Sequence, residues 1–232
     1  MVAYDGRDVV VTGGTGGLGR AVVEGLVAAG ARCHVPVLDP SELERFSLAR
    51  HARVRVVAGV DLTDEGDVEA FYGELPGLWA SLQIVGGFAM APLAQTRASD
   101  LQRMLTLNAM TCMLACREAV EAMRRGGGGG RLVNVAARPA LAPVGGMVAY
   151  VAAKSAVVGM TLALADELKA EGIAVNAVAP SIMDTAANRA AMPEADPSAW
   201  PKVEDVARAM IWLASPDNAL TTGLVMPVYG QA

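Results

Sequence analysis

Runs of positive charge are missing from this chain. Its 19 lysines and arginines are interspersed among 24 aspartates and glutamates, giving a formal net charge of −5. With no basic stretch to neutralise a phosphate backbone, nucleic acid is not an expected partner. Cysteine is scarce as well, and Cys33, Cys112 and Cys116 make no disulfide framework. Cys112 and Cys116 lie four apart on a predicted helix but lack nearby histidines, so they read as small apolar packing groups, and no metal site is expected. The first eight residues, Met1 to Asp8, lack the basic start and apolar core of a secretory leader, and no stretch reads as the roughly 20 apolar residues that cross a bilayer. A cytoplasmic protein without a membrane partner is expected.

Aromatics make up only 4% of residues, whereas glycine occurs 25 times and small apolar residues abound. Small side chains let helices lie close on a parallel sheet. With 53% hydrophobic and 19% charged residues over 232 positions, the chain suits one ordered α/β domain, 1–232. Strand-like apolar runs at 8–12, 33–38, 54–60, 82–86, 131–136, 173–178 and 224–228 alternate with helical patterns. The helices are expected at 18–29, 41–50, after a cap at Thr63, at 99–123 (opened by a Ser99/Gln102 capping box), at 150–171 and at 203–214. The glycine run 126–130 reads as a surface connection, and the polar, Pro-containing stretch 181–201 as a cover. Regular β-α alternation predicts a Rossmann-like, doubly wound parallel sheet of about seven strands with helices on both faces. On such a sheet ligands sit beyond the carboxyl ends of the strands.

Between the first strand and the first helix lies Thr12-Gly13-Gly14-Thr15-Gly16-Gly17-Leu18-Gly19. Five glycines allow a sharp turn and close approach to a pyrophosphate, and a helix N-terminus supplies free N–H groups and partial positive charge. No Gly-Lys-Ser/Thr follows, which excludes a P-loop and favours a dinucleotide.

The spacing Thr12-Gly13-x-x-x-Gly17-x-Gly19 resembles that of the short-chain dehydrogenase/reductase family, and the resemblance covers essentially the full chain. Asp61-Leu62 looks like the family's adenine-contacting pair, Asn108 like its helix asparagine, and Tyr150-Val151-Ala152-Ala153-Lys154 like its catalytic Tyr-x-x-x-Lys. Pro180, Ile182 and Thr185 resemble the segment that closes over the nicotinamide. The resemblance implies catalysis by Tyr150, Lys154 and Asn108. It implies cofactor contacts from Gly13, Thr15, Gly16, Gly17, Leu18, Gly19, Leu38, Asp39, Asp61, Leu62, Gly86, Gly87, Tyr150, Lys154, Pro180, Ile182 and Thr185. The chemistry agrees. Tyrosine with a pKa near 10 is a poor acid at neutral pH, and an ammonium one helical turn away is expected to lower it. By family analogy, Asn108 holds a water that links the lysine to solvent.

Two departures stand out. Thirteen residues before Tyr150 the family usually carries a serine that polarises the substrate carbonyl; here Ala137 occupies that position, followed by Arg138. Where the family commonly reads Asn-Asn-Ala-Gly, this chain reads Ile84-Val85-Gly86-Gly87. Both departures resemble the dihydropteridine reductase branch, as do Gly86-Gly87-Phe88-Ala89 and the run from Asp184 to Trp200. That resemblance implies a quinonoid dihydropterin as acceptor, alongside other carbonyl or quinone-like acceptors. NAD or NADP is the implied cofactor. The lean is toward NAD, because Asp39 lies just beyond the second strand and neither Thr15 nor Gly16 is basic. A homo-oligomer, dimer or tetramer, is expected by analogy through the helices at 99–123 and 150–171. The alternative reading is a weak or inactive dinucleotide-binding sensor or scaffold. It would follow from loss of the serine, but intact Tyr150, Lys154 and Asn108 argue against it.

Overall fold

The computed structural model describes residues 3–231. The sheet consists of β1 (Asp8–Thr12), β2 (Arg32–Val37), β3 (Val54–Ala58), β4 (Ala80–Gln83), β5 (Gly130–Val135), β6 (Ile173–Pro180) and β7 (Val225–Val228). All neighbours pair in parallel, in the order β3-β2-β1-β4-β5-β6-β7. The helices are α1 (Gly17–Ala28), α2 (Glu65–Gly73), α3 (Ala98–Leu105), α4 (Thr111–Arg125), α5 (Arg138–Leu141), α6 (Val148–Leu168), α7 (Ala186–Ala191) and α8 (Val203–Leu213). The expected doubly wound sheet is present. Val10 packs into the core beneath α2, α4 and α6, while Val9 and Val11 pack into the core beneath α1 and α8. This two-sided burial is why the strands read as unbroken apolar runs. Strand order reverses between β1 and β4, which opens a crevice beyond their carboxyl ends.

Several boundaries differ from expectation, each for a local reason. β4 stops at Gln83 because the Thr12 hydroxyl accepts the Ile84 N–H at 2.9 Å, drawing the chain out of the ladder. Asp64, not Thr63, caps α2 by accepting the Asp67 N–H, and Thr63 instead bonds the carboxylate of Asp61. There is no Ser99/Gln102 box: α3 opens at Ala98, and the Asp100 carboxylate accepts the Arg97 N–H. The helix expected over 99–123 is interrupted by a π turn, Thr106–Met110. The polar helix expected at 41–50 is a 3-10 turn, Pro40–Arg45. The glycine run behaves as expected, with positive φ from Gly127 to Gly130.

The membrane expectation needs one correction. Helix α6 and the turn after it, Val148–Glu171, are long and apolar enough to cross a bilayer by length and composition. In the fold this helix lies on β6 and α3, and its Lys154 is buried against the sheet.

Candidate active site

The glycine turn joins β1 to α1. A Cβ on Gly19 would stand 2.0 Å from the Gly13 carbonyl oxygen, so only glycine lets the first turn of α1 fold back onto the end of the strand. Gly16 caps α1 without a side chain to receive its leading N–H groups. Those donors are left for an anion, which fits the pyrophosphate of a dinucleotide. The Thr12 hydroxyl also donates to Leu82 O at 3.3 Å, fastening the floor of the crevice across β1 and β4.

The cover reaches this turn from the far side of the sheet. Pro180 ends β6, and Ser181 donates its hydroxyl to Tyr229 O at 2.8 Å. Ile182 is exposed, and Thr185 caps α7 by accepting the Asn188 N–H at 3.1 Å. The Thr185 methyl lies so near Gly17 that a Cβ there would meet it at 3.4 Å. Two segments distant in sequence thus share one wall of the crevice.

On the other wall, α6 presents Tyr150 and Lys154 one turn apart. Lys154 is only 5% exposed, and its Nζ donates to Val135 O at 2.7 Å. Burial pushes its pKa down to about 8, partly opposed by Cys112. Burial also pushes the Tyr150 phenol up to about 12. The expected lowering of the tyrosine pKa by lysine is therefore not seen. Desolvation of the phenolate sets the direction, and the ammonium of the helical neighbour is turned to the sheet. Phe88 stands edge-on to Tyr150, with ring centroids 5.0 Å apart and planes at 77°. Although it touches the tyrosine, Phe88 is 59% exposed.

Asn108 is buried in the π turn. Its Nδ2 donates to Gly87 O and Met104 O, both at 3.0 Å, and its Oδ1 accepts the Gly87 N–H at 3.2 Å. The side chain thus holds the Gly86-Gly87 loop in place. A Cβ on Gly86 would stand 2.5 Å from Asn108 Oδ1 and 3.3 Å from Lys154 Nζ, so loop, asparagine and lysine meet at one point. Ala137 is buried and extended, directly before α5. The Arg138 guanidinium stacks over the Tyr229 ring at 5.0 Å.

Leu38 is 57% exposed, and Asp39 uses its carboxylate on the Ser41 N–H at 2.9 Å. Asp61 accepts from Thr63, while Leu62 is buried. Sequence reasoning left out Glu42, whose carboxylate accepts the Thr15 hydroxyl. Nothing in the pattern of the polar stretch after β2 singles it out. Phe88 was visible as an aromatic after two glycines, but its place against Tyr150 was not.

Residues 7–196 match the family described as short chain dehydrogenase. Among curated relatives, 2,3-dihydroxy-2,3-dihydro-p-cumate dehydrogenase of Pseudomonas putida is 29% identical, covering 97% of this chain and 94% of its own. The cyclic-di-GMP-binding biofilm dispersal mediator protein of Escherichia coli is 30% identical, covering 99% and 98%. A short-chain dehydrogenase/reductase structure from Mycobacterium ulcerans superposes with a TM-score of 0.90 at 28% identity, covering 99% of this chain and 90% of that one. With the match to the family spanning most of the crevice-forming fold, the chain belongs to the short-chain dehydrogenase family and is an NAD(P)-dependent oxidoreductase.

Proposed function

We propose that this protein reduces a cyclic carbonyl or quinonoid acceptor with NADH, with Tyr150 as proton donor and no serine hydroxyl. The observation that carries this reading is the convergence of Lys154, Asn108 and Gly86 at one point, with Tyr150 one helical turn from Lys154 and against Phe88. When bound, the dinucleotide supplies the hydride. The residues that would hold it are the glycine turn, Asp61-Leu62, Gly86-Gly87 and the Pro180–Thr185 stretch. Tyr150, fully protonated with its pKa raised to about 12, holds the proton to be transferred. Lys154, one helical turn along, would stabilise the phenolate that this transfer leaves once its ammonium turns from Val135 O toward the site. Asn108 acts as a positioning residue, through the Gly86-Gly87 loop.

The absence of a hydroxyl at Ala137 favours an acceptor that gains little from polarisation of a carbonyl. A quinonoid ring, such as a quinonoid dihydropterin, regains a more stable ring on reduction and takes its proton on nitrogen. Phe88, exposed beside Tyr150, offers a flat ring an aromatic neighbour. The relative acting on a cyclic dihydrodiol supports a six-membered ring as the reacting unit. The lean to NAD rests on the lack of a basic residue at Thr15 or Gly16.

The reading includes a homo-oligomer in the cytoplasm. Leu101, Leu105, Met110 and Met113 on α3, its π turn and α4, with Val148 and Leu162 on α6, are exposed. A second copy placed on these helices would cover them.

The test is oxidation of NADH and NADPH by the purified protein with quinonoid dihydropterin beside a panel of ketones and quinones, with Tyr150→Phe as control. Turnover lost in the control supports the reading. Cofactor binding without turnover on any acceptor would move the sensor reading forward, and the cyclic-di-GMP-binding relative makes a nucleotide-responsive protein its concrete form.

A further inference from the structure

We infer that Arg138 recognises an acid group on the acceptor: the ring that is reduced carries a carboxylate, and the guanidinium binds it. This rests on the reductase reading above and deepens it by naming the substrate class.

The side chain of Arg138 leaves the chain one residue after Ala137, just past the carboxyl end of β5, and its guanidinium lies 5.0 Å from the centroid of the Tyr229 ring. Tyr229 directly follows β7, and its carbonyl accepts the Ser181 hydroxyl at 2.8 Å, just beyond β6. Arginine, tyrosine and the start of the cover therefore meet over the carboxyl ends of β5, β6 and β7, the edge of the sheet where such folds hold ligands. An aromatic face fixes a guanidinium without using its N–H donors. Among the described residues, Arg138 makes no ion pair and donates no side-chain hydrogen bond. Its fork is held in place and left open.

Charge singles the residue out. Residues 86–96, 139–153, 177–183 and 224–231, which surround it, contain no charged side chain. The first charges on the cover, Asp184 and Arg189, neutralise each other. The walls are apolar, with Phe88, Met90, Leu141, Val144 and Ile182 exposed. The loops of Met90 and Val144 are tied together, the Ala91 N–H donating to Gly146 O at 2.8 Å. One open cation among apolar walls fits an apolar ring with one acidic substituent, and the planar fork of arginine matches a carboxylate.

Position says which anion this is. Strands lie about 4.8 Å apart, so β7, four places from β1, stands roughly 19 Å from the strand that carries the glycine turn. A pyrophosphate at that turn is out of reach. Lys154 Nζ bonds Val135 O at the end of β5, two places or roughly 10 Å from β7. The guanidinium, drawn toward β7, is aimed at the far side of a ring reduced beside Tyr150 and not at its reacting carbon.

The experiment is steady-state reduction of 4-oxocyclohexanecarboxylate and of its uncharged amide by the full chain with NADH, in the wild type, Arg138→Gln, Arg138→Lys and Tyr229→Leu. Calorimetric titration of benzoate and benzamide into the same proteins loaded with NAD gives a readout without turnover, and circular dichroism checks that each variant is folded. We expect the wild type to favour the acid at least about tenfold in kcat/KM, carried by KM, and to bind benzoate over benzamide. The acid-to-amide ratio should fall to about one in Arg138→Gln and part of the way in Tyr229→Leu, while Arg138→Lys, which keeps the charge, retains a preference. A wild-type ratio near one, or a ratio unchanged in Arg138→Gln, overturns the inference and leaves the reductase reading standing if the amide is turned over. Benzoate binding that depends on Arg138 without turnover of either acceptor keeps the acid recognition and removes the reductase reading. Neither turnover nor benzoate binding by the folded wild type sinks both.

Discussion

Gly86 and Asn108 approach so closely that a methyl on the first would lie 2.5 Å from the amide oxygen of the second. That oxygen receives the Gly87 N–H, and Lys154 Nζ lies next to the same space. Gly86→Ala is therefore expected to push Asn108 off the loop and disturb the lysine. Overpacking of this kind costs about 1–3 kcal/mol, or roughly 2–12 °C in melting temperature for a chain of this size. The rate should suffer more than the fold, with kcat down at least about tenfold from misplacement of the reacting groups. Steady-state kinetics beside a thermal melt would decide; an unchanged kcat would refute the convergence.

Ala137 is buried, extended and lacks a hydroxyl. Installing one oriented donor to an oxyanion is worth about 2–4 kcal/mol of transition-state stabilisation. Ala137→Ser should raise kcat/KM for simple ketones by about tenfold or more while changing that for a quinonoid acceptor much less. If both acceptors respond alike, the argument for a serine-independent substrate fails.

Phe88 touches Tyr150 edge-on while most of its surface faces solvent. If the acceptor ring packs on it, Phe88→Ala should raise KM for aromatic acceptors about three- to tenfold, the worth of an aromatic pair. An aliphatic ketone of similar size should be less affected. Equal losses on both would show that Phe88 only props up Tyr150.

The charge on Lys154 gives a pH profile. Its pKa is pushed down to about 8, so the ammonium is present below that pH and lost above it. Since the ammonium stabilises the phenolate left by proton donation, kcat/KM for reduction should fall as pH rises through about 8, and Lys154→Met should remove that limb at a lower rate. Stability runs the other way. Between about 8 and 10.5 the folded chain has released this proton while the unfolded chain still binds it, so wild-type stability relative to Lys154→Met should rise with pH across that window. A flat difference in melting temperature there would contradict the burial of a charged lysine.

Much of this architecture was legible because it is local. Val9 to Val11 form an unbroken apolar strand, and the glycines up to Gly19 announce the turn that only they can make. What escaped reading depends on partners far away in the chain. The end of β4 is set by the Thr12 hydroxyl, 72 residues earlier. Glu42 meets the glycine turn only because Thr15 turns toward it. Arg138 is placed by Tyr229, which comes from near the end of the sequence. The tyrosine's pKa shows the same limit, since spacing reveals the neighbouring lysine but not how deeply both are buried.

The contact between Thr185 and Gly17 has a kinetic consequence. It roofs the entry to the glycine turn with a segment anchored at its far end, where Asp184 N–H bonds Pro201 O at 2.9 Å and Arg189 clamps the Asp184 carboxylate. A coenzyme bound at the turn would load and leave past this roof, which would have to move for each. Compulsory-order turnover, with the coenzyme first on and last off, is the expected outcome, and product-inhibition patterns against NADH check it.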